Sequence, residues 1–341
     1  MDRVPVTPVR LLAGILANPA AASSLRPEQW TTLIATARSE SLAGALAVRL
    51  EGSEFPPRVA RLLADARRDH DQGRTQALWE AEMCRRALDG LDVPVVLLKG
   101  SAYAAAGLAA GSGRSIGDLD IMVPRDSLTI VQEALLAAGW EWVKEDSYDD
   151  LYYRQWMHEL PPLIHRERDR MIDVHHTILP LTAKPTPDAA SMIADAVELD
   201  NGLLVLAPAD MVIHSAAHLF ADGDMAGGLR NLWDLDRLLR EFAARPGFWT
   251  ELGERARRHQ LEPHVARALR LTSRIYGAPV DAAMCGRPRL SDRLFERRLL
   301  ARNGWGQPTR KALRLAFYIR SHWLRMPPLM LARHLWVKAR R

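Results

Sequence analysis

The spacing of apolar residues changes character twice along the chain. Up to about residue 90 it is helical. Pro27-Glu28-Gln29 opens a run in which Trp30, Leu33, Ile34 and Ala37 recur every three to four residues, and Ser41 opens another with Leu42, Ala45, Leu46 and Leu50. Pro56-Pro57 breaks the pattern, and a long Ala-, Leu- and Arg-rich helix is predicted from about Arg58 to Asp89, stopped by Gly90. Val93 to Leu98 is a short β-branched, apolar run, the mark of a buried strand. Lys99-Gly100-Ser101 reads as a turn, Ala102 to Leu108 as a short helix, Ala109 to Gly117 as a small-residue loop, and Leu119 to Val123 as a second strand. Pro124 to Ser127 caps a helix carrying Leu128, Val131, Leu135 and Leu136, and Trp140 to Lys144 is a third strand. Pro162–His165 and Met171–His176 read as two more strands around the charged turn 166–170; Pro180–Pro187 reads as a linker, and Pro208 opens a second helical stretch to about Gly277.

This order implies an α+β protein, a small mixed sheet flanked by N-terminal and C-terminal helical regions. The expected divisions are an N-terminal helical region (1–90), a core bearing the sheet (91–180), a C-terminal helical region (181–286) and a final helical tail (287–341). No repeat of fixed period interrupts that plan.

Composition narrows the class. With 341 residues, 48% hydrophobic and 26% charged, the chain is long enough and apolar enough to bury a core, which excludes a disordered protein. Cys84 and Cys285 stand far apart with no CxxC or His/Cys spacing, which argues against a disulfide framework or structural zinc and for reduced thiols in a cytoplasmic protein. No run reaches the ~18 uninterrupted apolar residues of a spanning helix; Leu203–Phe220 comes nearest but is broken by Asp210, His214 and His218. The apolar stretch Leu11–Leu16 is followed by no cleavage-site pattern, so it is not read as a signal peptide.

Charge is unevenly spread. The overall +5 divides into +13 from Arg287 onward, where fifteen Lys or Arg face two acids, and −8 in the rest. The tail interleaves those cations with Trp305, Phe317, Tyr318, Trp323 and Trp336. Three partners are open for residues 287–341: nucleic acid through phosphate contacts and stacking, an anionic membrane surface reached peripherally, or the protein's own acidic body.

The chemistry sits in the middle. Asp118 and Asp120 are two apart on a predicted strand, so both carboxylates share a face while Leu119, Ile121 and Val123 take the other. Like charges so close repel unless a cation lies between them, and an all-oxygen pair suits Mg²⁺ or Mn²⁺. Ile172-Asp173-Val174-His175 repeats the alternation. Were its strand beside the second, Asp118, Asp120 and Asp173 would converge as metal ligands and catalytic residues for two-metal phosphoryl or nucleotidyl transfer. Gly100 and Ser101, between a strand and a helix, are the expected phosphate cradle, with Lys99 and Arg114 balancing triphosphate charge. His214 and His218 lie four apart with Asp222 beyond, a poor zinc signal better read as a helix face packed on the catalytic region; Arg230 and Asp234 are a candidate buried pair.

Leu97-Leu98-Lys99-Gly100-Ser101 followed by Arg114-Ser115-Ile116-Gly117-Asp118-Leu119-Asp120-Ile121-Met122-Val123 resembles the signature of the polymerase-β-like nucleotidyltransferase superfamily, a Gly-Ser turn after a strand and an Asp-x-Asp on the next. The Leu-Leu-Lys-Gly and Arg-x-x-x-Asp-x-Asp forms resemble a bacterial family of uncharacterised nucleotidyltransferases, as does Asp173 with His175, and His218, Arg230 and Asp234 resemble positions in its helical region. The resemblance runs over roughly residues 28–240 and implies a nucleotidyltransferase core, a divalent metal and an NTP donor. The sixteen residues between Ser101 and Asp118 make a longer spacing than the superfamily usually has. The implied activity is transfer of an NMP from an NTP to an acceptor the sequence does not name: small molecule, protein or RNA. A non-catalytic scaffold docking through the basic tail, and a toxin-like transferase acting on tRNA or protein, stand as alternatives.

Overall fold

The computed structural model describes residues 7–144, 153, 155–325 and 336. Four helices come first: α1 (Pro8–Ala17), α2 (Pro27–Ser39), α3 (Ala43–Arg49) and α4 (Pro57–Ala87). Three of them start on proline, whose fixed φ and missing N–H suit a first helical turn. α4 has 31 residues, about 46 Å at 1.5 Å per residue. It buries the stripe Val59, Leu63, His70, Ala77, Glu80, Ala81 and Cys84, and its outer face carries pairs such as Glu82 with Arg85 and Arg86.

The sheet has seven short strands: β1 (Val96–Leu97), β2 (Leu119–Met122), β3 (Trp140–Trp142), β4 (Leu163–His165), β5 (Met171–His175), β6 (Val197–Glu198) and β7 (Leu204–Val205). Their order is β3-β4-β5-β2-β1-β7-β6. β2 runs parallel to β5 and antiparallel to β1, and β1 runs parallel to β7, so the sheet is mixed, as expected. All four residues of β2 are buried, since both faces of this central strand are covered.

Three details differ from the sequence reading. The first strand is two residues rather than six, because Asp92 turns the chain with φ 51° and Pro94 has no N–H for the ladder. The helix α5 spans Lys99–Ala105, so Lys99-Gly100-Ser101 form its first turn rather than a turn before it; Leu98 supplies the extended cap, and Ala102 N–H donates to Leu98 C=O. The hairpin β6–β7 extends the sheet where no strand was expected, and two-residue strands leave no period to read.

Beyond α6 (Leu128–Ala137) and the short α7 (Ala189–Ala194), the chain is mostly helical: α8 (Pro208–Ala217), α9 (Gly228–Phe242), α10 (Phe248–Arg258), α11 (Glu262–Tyr276), α12 (Ala282–Cys285), α13 (Leu290–Leu299) and α14 (Lys311–Arg325). α8 is buried from Ala209 to Ala217 and runs on into a single π-helical turn, His218–Asp222. One apolar cluster reaches from Val9 in α1 to Phe317 in α14. Arg302 Nε donates to Glu40 at 2.6 Å and Arg274 to Glu296 at 3.0 Å, fastening the late helices to the early ones and to each other. Among the described residues no helix is long and apolar enough to cross a membrane. Of the helical tail expected over 287–341, the apolar positions Leu329, Leu331 and Leu335 lie outside the described residues.

Candidate active site

Parallel pairing of β2 with β5 sets Asp120 beside Asp173 and Ile121 beside Val174. Alternation sends Leu119, Ile121, Ile172 and Val174 into the core. The carboxylates of Asp118, just ahead of β2, and of Asp120 and Asp173 then meet, with ligand oxygens within 4.8 Å of one another. Asp118 is exposed, Asp173 half-buried and Asp120 buried.

The three acids are not equivalent. Burial by itself raises the Asp120 carboxyl, but Lys99 Nζ donates to its Oδ1 at 2.6 Å and His175 Nε2 lies 3.0 Å from the same oxygen, and together they hold it well below the usual carboxylate range. Asp118 and Asp173 make no hydrogen bond or ion pair among the described residues. Burial, reinforced by Glu159 and Asp120, pushes the Asp173 carboxyl up to about 7. An all-carboxylate set with two unpaired members has the chemistry of a hard-cation site, so the residues present fit a divalent metal.

The expected cradle lies next to this cluster. Lys99 adopts φ 49°, a left-handed conformation costly for a side chain with a Cβ, and it starts α5 directly after the extended Leu98. A Cβ on Gly100 would run into the Arg114 guanidinium. The Ser101 hydroxyl is buried with no hydrogen-bond partner among the described residues, an orphan that a ligand oxygen would satisfy.

Arg114 is itself buried and donates from Nε to Asp234 at 2.8 Å. The pairing expected of Arg230 with Asp234 is therefore corrected: Arg114, arriving from the loop before β2, reaches Asp234 on α9. Arg230 makes no ion pair with Asp234 and has its Nε buried without an acceptor among the described residues; burial and Arg114 disfavour its charge, against the pull of Asp234, Asp118 and Asp120. A cavity of about 310 Å³, lined by Asp65, Ala66, His70, Arg114, Ser115 and Ile116 among others, adjoins the same loop.

Sequence reasoning missed Glu159. It bridges antiparallel to His175, and its Oε2 lies 3.4 Å from His175 Nδ1, so His175 stands between Asp120 and Glu159. His158 stacks on His175 at 5.2 Å, and His158, Glu159 and His175 form a second compact ligand-bearing group. Pro161-Pro162 had masked the signal: the strand reading began at Pro162, whereas pairing resumes on its other side, with Leu160 N–H donating to Val174 C=O.

The helix face carrying His214 and His218 lies within electrostatic reach of Lys99 and Asp120. Burial, helped by Lys99, pushes His214 down to about 3 and His218 well below its ordinary value, so both imidazoles are neutral at pH 7.

A mixed sheet carrying clustered acids on adjacent strands, within an α+β fold, is the architecture expected of a nucleotidyltransferase-type fold. The family model described as uncharacterised nucleotidyltransferase matches residues 26–277, more than half of the chain, and the chain belongs to that family. No curated protein matches it.

Proposed function

We propose that the protein transfers a nucleoside monophosphate from an NTP to an acceptor hydroxyl or other nucleophile. The observation that carries this reading is the meeting of Asp118, Asp120 and Asp173, two of them unpaired, beside the orphaned Ser101 hydroxyl. The acids would hold Mg²⁺ or Mn²⁺, which supplies charge neutralisation for the triphosphate and acidifies the acceptor oxygen.

The chain's own residues do the rest. Ser101 donates its hydroxyl to a phosphate oxygen, and Gly100, kept free of a side chain by Arg114, lets the backbone approach. Lys99 and Arg230 set positive charge beside the polyphosphate. His175, gripped between Asp120 and Glu159, fixes the orientation of the Asp120 carboxylate. Neutral His214 and His218 close the helical side without adding charge that would compete with the cation.

The test is pyrophosphate release from each of the four NTPs with Mg²⁺ or Mn²⁺, in the presence of lysate fractions as acceptor source. Release by the wild type and none by Asp118→Ala is the expected result. Equal release by both variants, or no response of either to metal and nucleotide, sinks the reading and favours a scaffold. The size of the labelled product tells a small-molecule acceptor from tRNA or protein.

A further inference from the structure

The basic tail is only partly absorbed by the fold. On α14, Phe317 and Ser321 are buried and Leu313 packs against the core. The Phe317 ring meets Phe295 of α13 edge-on at 5.0 Å, and Arg320 donates to Phe220 C=O in the π-helical turn. The opposite face should then be polar, as on any surface helix. It is not. Leu315, Ile319 and Trp323 recur every four residues on the outward side, 57%, 37% and 59% exposed, and Ala312 and Ala316 fill the spaces between them. The helix is apolar on two faces, and among the described residues only one is packed against the fold.

Charge says what the second face suits. Arg310, Lys311 and Arg314 are exposed beside it. Both acids of the segment from Arg287 onward are already engaged, Asp292 by Arg267 and Arg270, Glu296 by Arg10 and Arg274. The sequence beyond α14 adds Arg333, Lys338, Arg340 and Arg341 with no acid. A second copy of the chain docked helix to helix through this face would set one strongly cationic segment against another. A nucleic-acid backbone would meet aliphatic side chains where it needs cations. An anionic lipid surface satisfies both features at once, with acyl chains taking Leu315, Ile319 and Trp323 and headgroup phosphates taking the flanking cations.

We propose that α14 is a membrane-surface docking helix, lying in the headgroup region of an anionic bilayer with Leu315, Ile319 and Trp323 inserted. It packs against the His218–Asp222 turn, so docking holds the helical wall of the active site at the bilayer surface. The proposal does not rest on the transfer reaction and is tested without it.

The experiment is flotation of the full chain with phosphatidylcholine vesicles, and with vesicles in which about a third of the lipid is phosphatidylglycerol. The full chain floats with the anionic vesicles only, less so at high salt, and its tryptophan emission shifts to the blue. K311Q/R314Q, two changes on the exposed flank that leave the core untouched, weakens partition about thirtyfold, at ~1 kcal/mol per cation. L315S/I319S/W323S, checked for an unchanged circular dichroism melt, weakens it about a hundredfold. The proposal is overturned if the full chain ignores both vesicles, or floats equally with both, or if the triple variant floats like wild type. It is equally overturned if a duplex DNA or RNA binds while vesicles do not, or if the triple change only dissolves a dimer seen by size exclusion.

Discussion

Two sets of aspartates in this molecule have opposite surroundings. In the C-terminal helices, Asp210 is fully buried yet accepts from Arg255 on both oxygens and lies 3.2 Å from His259 Nε2, and Asp292 is gripped by Arg267 and Arg270. These carboxylates are matched by cations of the chain itself and have nothing left to bind. Of the three carboxylates on β5, on β2 and just ahead of it, Asp120 is the one that a lysine bonds among the described residues. A fold able to pair its structural acids so fully has left Asp118 and Asp173 open. The physical reading is that their missing charge comes from outside the chain, which is how a binding site differs from a structural ion pair.

Substitutions should separate the two sets. The largest effect is expected at the sheet: Asp120→Asn should cut nucleotide transfer about a thousandfold or more, measured as pyrophosphate release. In the absence of metal its partner Asp173→Asn should leave the urea midpoint unchanged or raise it, because it removes an unbalanced charge. The reverse holds for Asp210→Asn, which removes the buried carboxylate that Arg255 and His259 face, leaves Arg255 with Asp195 as its one acidic partner, and should cost about 3 kcal/mol in chemical denaturation. If Asp173→Asn destabilised the protein as much as Asp210→Asn, the contrast would fail.

Next in size is the metal response. Saturating Mn²⁺ or Mg²⁺ should stabilise the wild type by about 2–3 kcal/mol, roughly 4 °C in a thermal melt, and leave Asp118→Ala unmoved.

The pH dependence of the structural set has a definite sign. Burial raises Asp210, but its bonds to His259 and Arg255 lower it further, so its folded value lies below the ordinary 3.8. Its contribution is therefore full above that ordinary value and is lost as pH falls through the lower folded one. The stability gap between wild type and Asp210→Asn should stay constant from pH 7 to about 5 and close below about 4, read from urea midpoints.

The smallest effect should come from Ser101→Ala. Removing an unpartnered hydroxyl should leave stability within about 0.5 kcal/mol and raise the KM for NTP about fivefold to tenfold.

Much of this was legible one strand at a time. Asp118-Leu119-Asp120 and Ile172-Asp173-Val174 each declare by alternation that their acids share a face opposite apolar partners, and the structure keeps both patterns. The long helix through α4 and the helical stretch opened by Pro208 were equally plain, since eleven or more residues suffice to show a period. Glu159 was hidden because prolines interrupt the strand pattern around it, and β6 and β7 because two residues carry no period. Asp234 was visible as a polar residue on a helix, but not which arginine it would meet.

The sequence by itself determined which faces are apolar, where the acids sit on their strands, and how unevenly charge is distributed between body and tail. Those are local properties, set by side-chain spacing against a backbone repeat of two or 3.6 residues. Only the tertiary structure decided that β5 lies against β2 in the register that joins Asp120 to Asp173, that Arg114 crosses to Asp234, and that α14 turns a second apolar face outward. Strand neighbours, ion-pair partners and exposed helix faces are chosen by contacts between residues far apart in the chain, and no local spacing encodes them.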